Sequence, residues 1–149
     1  MMKATRSNTS IPVWLTVIIS LGTLLIAAGG AIALLHPEML TSPHEVMNDG
    51  VHIYARYLAS RNISIAIMLI ALLLIRARRA LSQLMVLVAL VQGIDASMDC
   101  LDGRVAIVPG ILVFGVLFLV GAAKLCGYPF WKAYAWIDSP EQLAPRTEL

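Results

Sequence analysis

Ionisable and amide side chains interrupt two otherwise apolar stretches of this chain: Arg56 and Arg61-Asn62 open one, and Gln92, Asp95 and Asp99 close the next. A charge inside a membrane span costs at least about 2.5 to 3.5 kcal/mol, so such residues normally face a protein interior and pair there. Gln92, Asp95 and Asp99 follow i, i+3, i+7 and share one narrow helical face. Tyr54, Tyr57 and Arg61 share a stripe of the preceding helix, with Asn62 beside it. Two carboxylates on one face, joined by an arginine, an asparagine and tyrosines, form a general acid/base set. Close carboxylates disfavour double ionisation and split their proton affinities, so one donates while the other accepts. Such a pair titrates as a unit, which leaves open which Asp is acid and which is base.

Composition decides what must position these groups. The 149 residues are 59% hydrophobic and only 13% charged, with a mean hydropathy of +0.82, where a soluble domain would carry roughly a quarter charged residues. The chain therefore reads as an all-α integral membrane protein, a four-helix bundle in a single domain, with the bilayer itself as one partner. Four segments fit a hydrocarbon core that needs about 20 residues of helix: spans 11–35, 54–75, 80–100 and 105–126, with an outer loop at 36–53 and a tail at 127–149. Lys3 and Arg6 before the first run resemble a secretory signal, but that run far exceeds the usual length of about 7 to 15 residues and no convincing small-residue cleavage site follows. It reads as a retained helix.

Orientation follows from the positive-inside rule. Lys3, Arg6, the Arg76-Arg78-Arg79 cluster, Lys124, Lys132 and Arg146 fall on one side under an even number of spans, so both termini are expected in the cytoplasm. Glu38, Glu45, Asp49, Asp95, Asp99 and Asp102 then lie on or near the opposite side. The net charge of +2 reflects topology and not a nucleic-acid surface. Cys100 and Cys126 end different spans on opposite sides, beyond disulfide reach, and read as packing thiols. The sequon Asn8-Thr9-Ser10 falls on the cytoplasmic side and stays unused in this topology.

Only a few residues around Arg78 and Arg79 join spans two and three, which predicts an antiparallel hairpin. At about 1.5 Å per residue, Arg61 lies roughly 10 Å below Tyr54 and Asp95 roughly 8 Å below Cys100. Arg61 and Asp95 are thus expected at one level, and Arg56 with Asp99 at another. The expected result is a polar pocket, open outward and closed below by apolar side chains. No metal motif, nucleotide loop or nucleophilic Ser or Cys accompanies it, so neither metal nor cofactor is expected. Opening an epoxide suits such a set, since it needs a donor to the ring oxygen and a base for the attacking water or hydroxyl. Limonene-type epoxide hydrolases use similar side chains, an analogy of chemistry and not of fold.

The Tyr-x2-Tyr-x3-Arg-Asn stretch at Tyr54 to Asn62 and the Gln-x2-Asp-x3-Asp stretch at Gln92 to Asp99, set within four spans, also resemble a family of small membrane proteins. That family includes epoxide hydrolases of fungal polyketide clusters of the aurovertin and citreoviridin type. The resemblance covers roughly residues 11–126 and implies secondary-metabolite chemistry: hydrolysis or cyclisation of a lipophilic polyketide or terpenoid epoxide, with Arg61, Asn62, Asp95 and Asp99 at the site. Asp95, Asp99, Arg61, Asn62 and Tyr54 are the expected catalytic residues. Tyr57, Arg56, Gln92 and His52 are expected to bind substrate, whose apolar tail would lie along Val88, Met85 and Met68 after entry from the lipid. A fungal source would place the protein in the endoplasmic reticulum membrane, and a bacterial source in the inner membrane.

Other readings of the same residues stay open. One Arg61–Asp95 pair alone would be a clasp in a non-catalytic scaffold. A small proton-coupled transporter is the other class, although four-span exporters carry an acidic residue in span one and this chain has none there. His36, His44 and His52 fall in the outer loop beside Glu38, Glu45 and Asp49 without a compact zinc spacing, so the loop reads as a lid shaped by Pro37 and Pro43. Asp102, Gly103 and Arg104 read as a turn with a local ion pair, and Lys124 snorkels to the interface. Tyr128, Phe130, Trp131, Tyr134, Trp136 and Trp14 form an interfacial aromatic belt. Gly22, Gly29, Gly30, Gly115 and Gly121 allow close helix approach within the chain or between copies in a homo-oligomer.

Overall fold

A computed structural model describes residues 11–40, 48–127 and 131–132, and among them every regular element is helical. The helices are α1 (Val13–Leu35), α2 (Asp49–Leu74), α3 (Arg78–Leu101) and α4 (Val108–Cys126), with a short 3-10 helix at Pro37–Leu40 after α1. Each of the four is long and apolar enough to cross a membrane. Only 22% to 33% of each helix's most apolar stretch is buried by protein, so most of that surface needs an apolar surrounding, which fits a multi-pass membrane protein. Lys3, Arg6, Asn8, Pro43, His44, Glu45, Tyr128, Phe130, Tyr134, Trp136 and Arg146 lie outside the described residues, as do both termini.

Local chemistry sets the helix ends. Pro37 disfavours helical geometry at the residue before it, and His36 accordingly leaves the helix at φ −138°, while its N–H still bonds the Ile32 carbonyl at 2.8 Å. Asn48 caps α2, its side-chain oxygen accepting from the Val51 N–H at 3.0 Å, and Asp49 places a negative charge in the first turn. That cap starts α2 five residues before the expected Tyr54 and puts His52 on the helix, not in a loop. Arg78 and Arg79 likewise lie inside α3, and α4 starts at Val108 instead of 105. α3 ends in a Schellman turn: Gly103 takes φ +74°, the Arg104 N–H bonds the Asp99 carbonyl at 2.8 Å and the Gly103 N–H bonds Cys100 at 3.2 Å. Gly127, also at φ +74°, closes α4.

The chain divides into two compact units, one holding α1 and α2 (Pro12–Ile75), the other α3 and α4 (Arg76 onward). Within the first unit α1 packs along α2, and within the second α3 packs along α4. In the first, Leu15, Ile19, Gly22, Thr23, Gly30 and Ala33 form the buried stripe of α1 and Ala55, Ala59, Ala66 and Leu69 that of α2. Gly30 brings the backbones together: a β-carbon there would stand 3.2 Å from Asn62 Cβ and from Ile63 Cγ1, and 3.4 Å from the Ala59 carbonyl oxygen. In the second, Ser82 donates to the Ala122 carbonyl at 2.9 Å and receives the Cys126 thiol at 3.0 Å, which ties α3 to α4. Phe118, Leu81, Met85 and Val88 are the large side chains buried there.

Candidate functional site

The acidic stripe expected on α3 forms, and its three residues differ in surroundings. Gln92 is half-buried, and its carboxamide oxygen lies over Gly115 of α4, 3.5 Å from where a β-carbon would stand. That oxygen is buried and accepts no hydrogen bond. An orphaned buried acceptor costs about 1 to 3 kcal/mol, so its retention needs a reason. Asp95 is half-buried and Asp99 is buried, only 7% exposed.

Asp99 has a partner that sequence reasoning did not assign to it. Arg104 Nη2 lies 2.7 Å from Asp99 Oδ1 and 3.8 Å from Asp102 Oδ2. The Schellman turn produces this pairing, because Gly103 reverses the chain and returns Arg104 to the last turn of α3. A glycine at C′ followed directly by arginine was the available signal. The local Asp102–Arg104 pairing expected in the turn is also present, at the longer distance. One face of α3 therefore carries, over two turns, an unpaired carbonyl, a half-buried carboxylate and a buried carboxylate held by a guanidinium.

The expected α2 residues divide between different faces of that helix. Asn62 lies on the buried side against Gly29 and Gly30 of α1: a β-carbon at Gly29 would stand 3.4 Å from its Nδ2. The side-chain oxygen of Asn62 accepts from Arg61 Nε at 3.4 Å, and Arg61 itself is half-buried. Tyr54 and Tyr57 are 66% and 74% exposed, and Arg56 and His52 are exposed as well. Arg56 lines two adjoining surface depressions of about 400 and 360 Å³, one with Asp49, His52 and Ile53, the other with Ile53, Tyr57 and Ser60. Of the side chains expected along a substrate tail, Val88 and Met85 are closed off in the packed interior, at 2% and 0% exposure, whereas Met68 is half exposed.

Near the start of α2, His36 Nδ1 and Glu38 Oε1 meet at 2.9 Å. Backbone hydrogen bonding at Glu38, followed by that imidazole contact, holds its carboxyl below the ordinary value. No cluster of three or more metal-binding side chains occurs among the described residues. No family model, curated protein or solved structure matches the chain, so the resemblance to polyketide-cluster epoxide hydrolases rests on the two short motifs.

Proposed function

We propose that this chain is a membrane-embedded enzyme that opens a lipophilic epoxide by general acid/base catalysis. The observation that carries the reading is the α3 face, where Asp95 and Asp99, one turn apart, sit beside the unpaired Gln92 carbonyl in a helix long and apolar enough to cross a membrane. Side chains at i and i+4 have Cβ atoms about 5 to 6 Å apart, close enough to serve one small reacting group. The Arg104 contact supports giving Asp99 the role of base, since its carboxylate is already oriented as an acceptor. Asp95 is then the donor. It gives its proton to the epoxide oxygen as that C–O bond breaks, Asp99 takes a proton from water as the new C–O bond forms, and the product is a vicinal diol. A substrate hydroxyl in place of water gives a cyclic ether. Gln92 accepts a hydrogen bond from the attacking group.

The test is turnover of lipophilic epoxides by membranes carrying the full-length chain. Asp95→Asn and Asp99→Asn should each abolish diol formation while leaving the protein in the membrane. Retained activity in both variants would refute the reading. One observation favours a structural role instead: the Asp99–Arg104 pair closes the α3–α4 turn as well as it would orient a base. Under that reading the reversed pair, Asp99→Arg with Arg104→Asp, restores both stability and function, whereas an active site regains stability alone.

A further inference from the structure

We propose that the face of α2 formed by Asp49, His52, Ile53, Arg56, Tyr57 and Ser60 binds the headgroup of an amine-bearing zwitterionic phospholipid, the phosphatidylethanolamine class. It rests on the membrane-spanning part of the proposed function and not on the epoxide chemistry. The six residues follow i, i+3, i+4, i+7, i+8, i+11 and so form a single stripe, away from the buried Ala55, Ala59, Ala66 and Leu69. They line two open depressions of about 400 and 360 Å³ that share Ile53 and Arg56, together a shallow groove on this stripe.

Depth argues for a headgroup. The 26 residues of α2 rise about 39 Å at 1.5 Å each, against a hydrocarbon core of about 30 Å. Arg76 follows the far end of the helix, so the excess length of roughly 9 Å, about six residues, extends beyond the core at the Asp49 end. Asp49, His52 and Ile53 then stand at headgroup level, Arg56 at the core boundary, and Tyr57 and Ser60 just inside it. Arg56 is exposed, and an exposed guanidinium at that level is satisfied by phosphate oxygens, for which its planar donor fork is suited.

Charge selects among headgroups. Helical side chains lean towards the N-terminus, so Arg56 leans in the direction of Asp49. The groove therefore offers a cation at the boundary and a carboxylate farther out, the order of phosphate and ammonium in ethanolamine lipids. A net anionic headgroup meets Arg56 favourably and Asp49 unfavourably. The trimethylated amine of choline has no N–H to donate to the Asp49 carboxylate. Ile53 and the Tyr57 ring supply apolar walls for the glycerol region.

Native mass spectrometry of the full-length chain tests this, using micelles that contain equal amounts of phosphatidylethanolamine, phosphatidylcholine and phosphatidylglycerol with identical acyl chains. The ethanolamine lipid should be retained preferentially. Arg56→Gln should lower retention of both ethanolamine and glycerol lipids by about threefold to tenfold, the loss of one charge-assisted bond at a wet interface. Asp49→Asn should bring ethanolamine down to the choline level and raise glycerol retention. Matching far-UV circular dichroism shows that each variant is folded. Equal retention of the three lipids by the wild type, or ethanolamine retention unchanged in both variants, overturns the proposal. Release of the chain from membranes by alkaline carbonate would overturn the membrane reading itself, separately from headgroup choice.

Discussion

Removing Arg104 should destabilise the α3–α4 hairpin more than neutralising its partner Asp99. The asymmetry comes from exposure: the Asp99 side chain is 10% exposed and that of Arg104 is 41% exposed. Arg104→Met leaves a carboxylate nearly out of water with its closest cation gone. Breaking a fully buried pair in this way costs about 3 to 5 kcal/mol, and screening through the exposed arginine lowers the expectation to about 2 kcal/mol. Asp99→Asn leaves a guanidinium that still reaches solvent and lies 3.8 Å from Asp102. The asparagine oxygen still accepts from that guanidinium, so the loss is the difference between a charge-assisted and an ordinary hydrogen bond, about 1 kcal/mol. Both variants keep the 2.8 Å bond from the Arg104 N–H to the Asp99 carbonyl, so the Schellman turn is a common background. Unfolding in mixed micelles of increasing SDS content, followed by far-UV circular dichroism, measures both losses. An Asp99→Asn loss equal to or larger than that of Arg104→Met would refute the reasoning.

Other substitutions probe the helix contacts and ends. Gly30→Leu should cost several kcal/mol, because even its β-carbon would stand 3.2 Å from Asn62 and Ile63 and 3.4 Å from the Ala59 carbonyl and overpacking alone costs about 1 to 3 kcal/mol; the same SDS titration reads it, and an unchanged midpoint counts against the close α1–α2 approach. Arg76 sits at φ +55°, where a β-carbon costs about 1 to 2 kcal/mol, so Arg76→Gly should raise stability by up to about 1 kcal/mol after the entropy of glycine is subtracted; destabilisation would contradict the assigned geometry. The lowered pKa of Glu38 means that its contribution is present above the ordinary value of 4.5 and disappears as pH falls through the lower folded value. His36→Gln should move the Glu38 carboxyl titration, followed by NMR, up towards 4.5 without reaching it, since backbone hydrogen bonding is the larger cause.

The helices were legible because each requires a long apolar run, and the i, i+3, i+7 spacing placed Gln92, Asp95 and Asp99 on one face. The start of α2 was harder to read. A polar stretch rich in turn residues masks the Asn48 cap, so a boundary drawn from hydropathy falls at Tyr54. The surroundings of Asn62 were not legible for another reason: its carboxamide fits where Gly29 and Gly30 leave room, and which helix supplies that room is a packing fact that α2's own spacing does not contain. Arg104 was visible as a turn residue, but its place against Asp99 depends on the left-handed Gly103. Val88 and Met85 lie on the stripe that carries Gln92, and the packing that buries the stripe also closes them off from a substrate tail.

The central claim, that the α3 carboxylates open an epoxide, is tested most directly by isotope incorporation. Membranes carrying the full-length chain are incubated with a lipophilic epoxide in H₂¹⁸O, and the diol is examined by mass spectrometry. The account predicts one ¹⁸O atom per diol, formed with the wild type and absent with Asp95→Asn. Diol formation at the same rate by Asp95→Asn, or no diol above host membranes from the wild type across a panel of lipophilic epoxides, would contradict it.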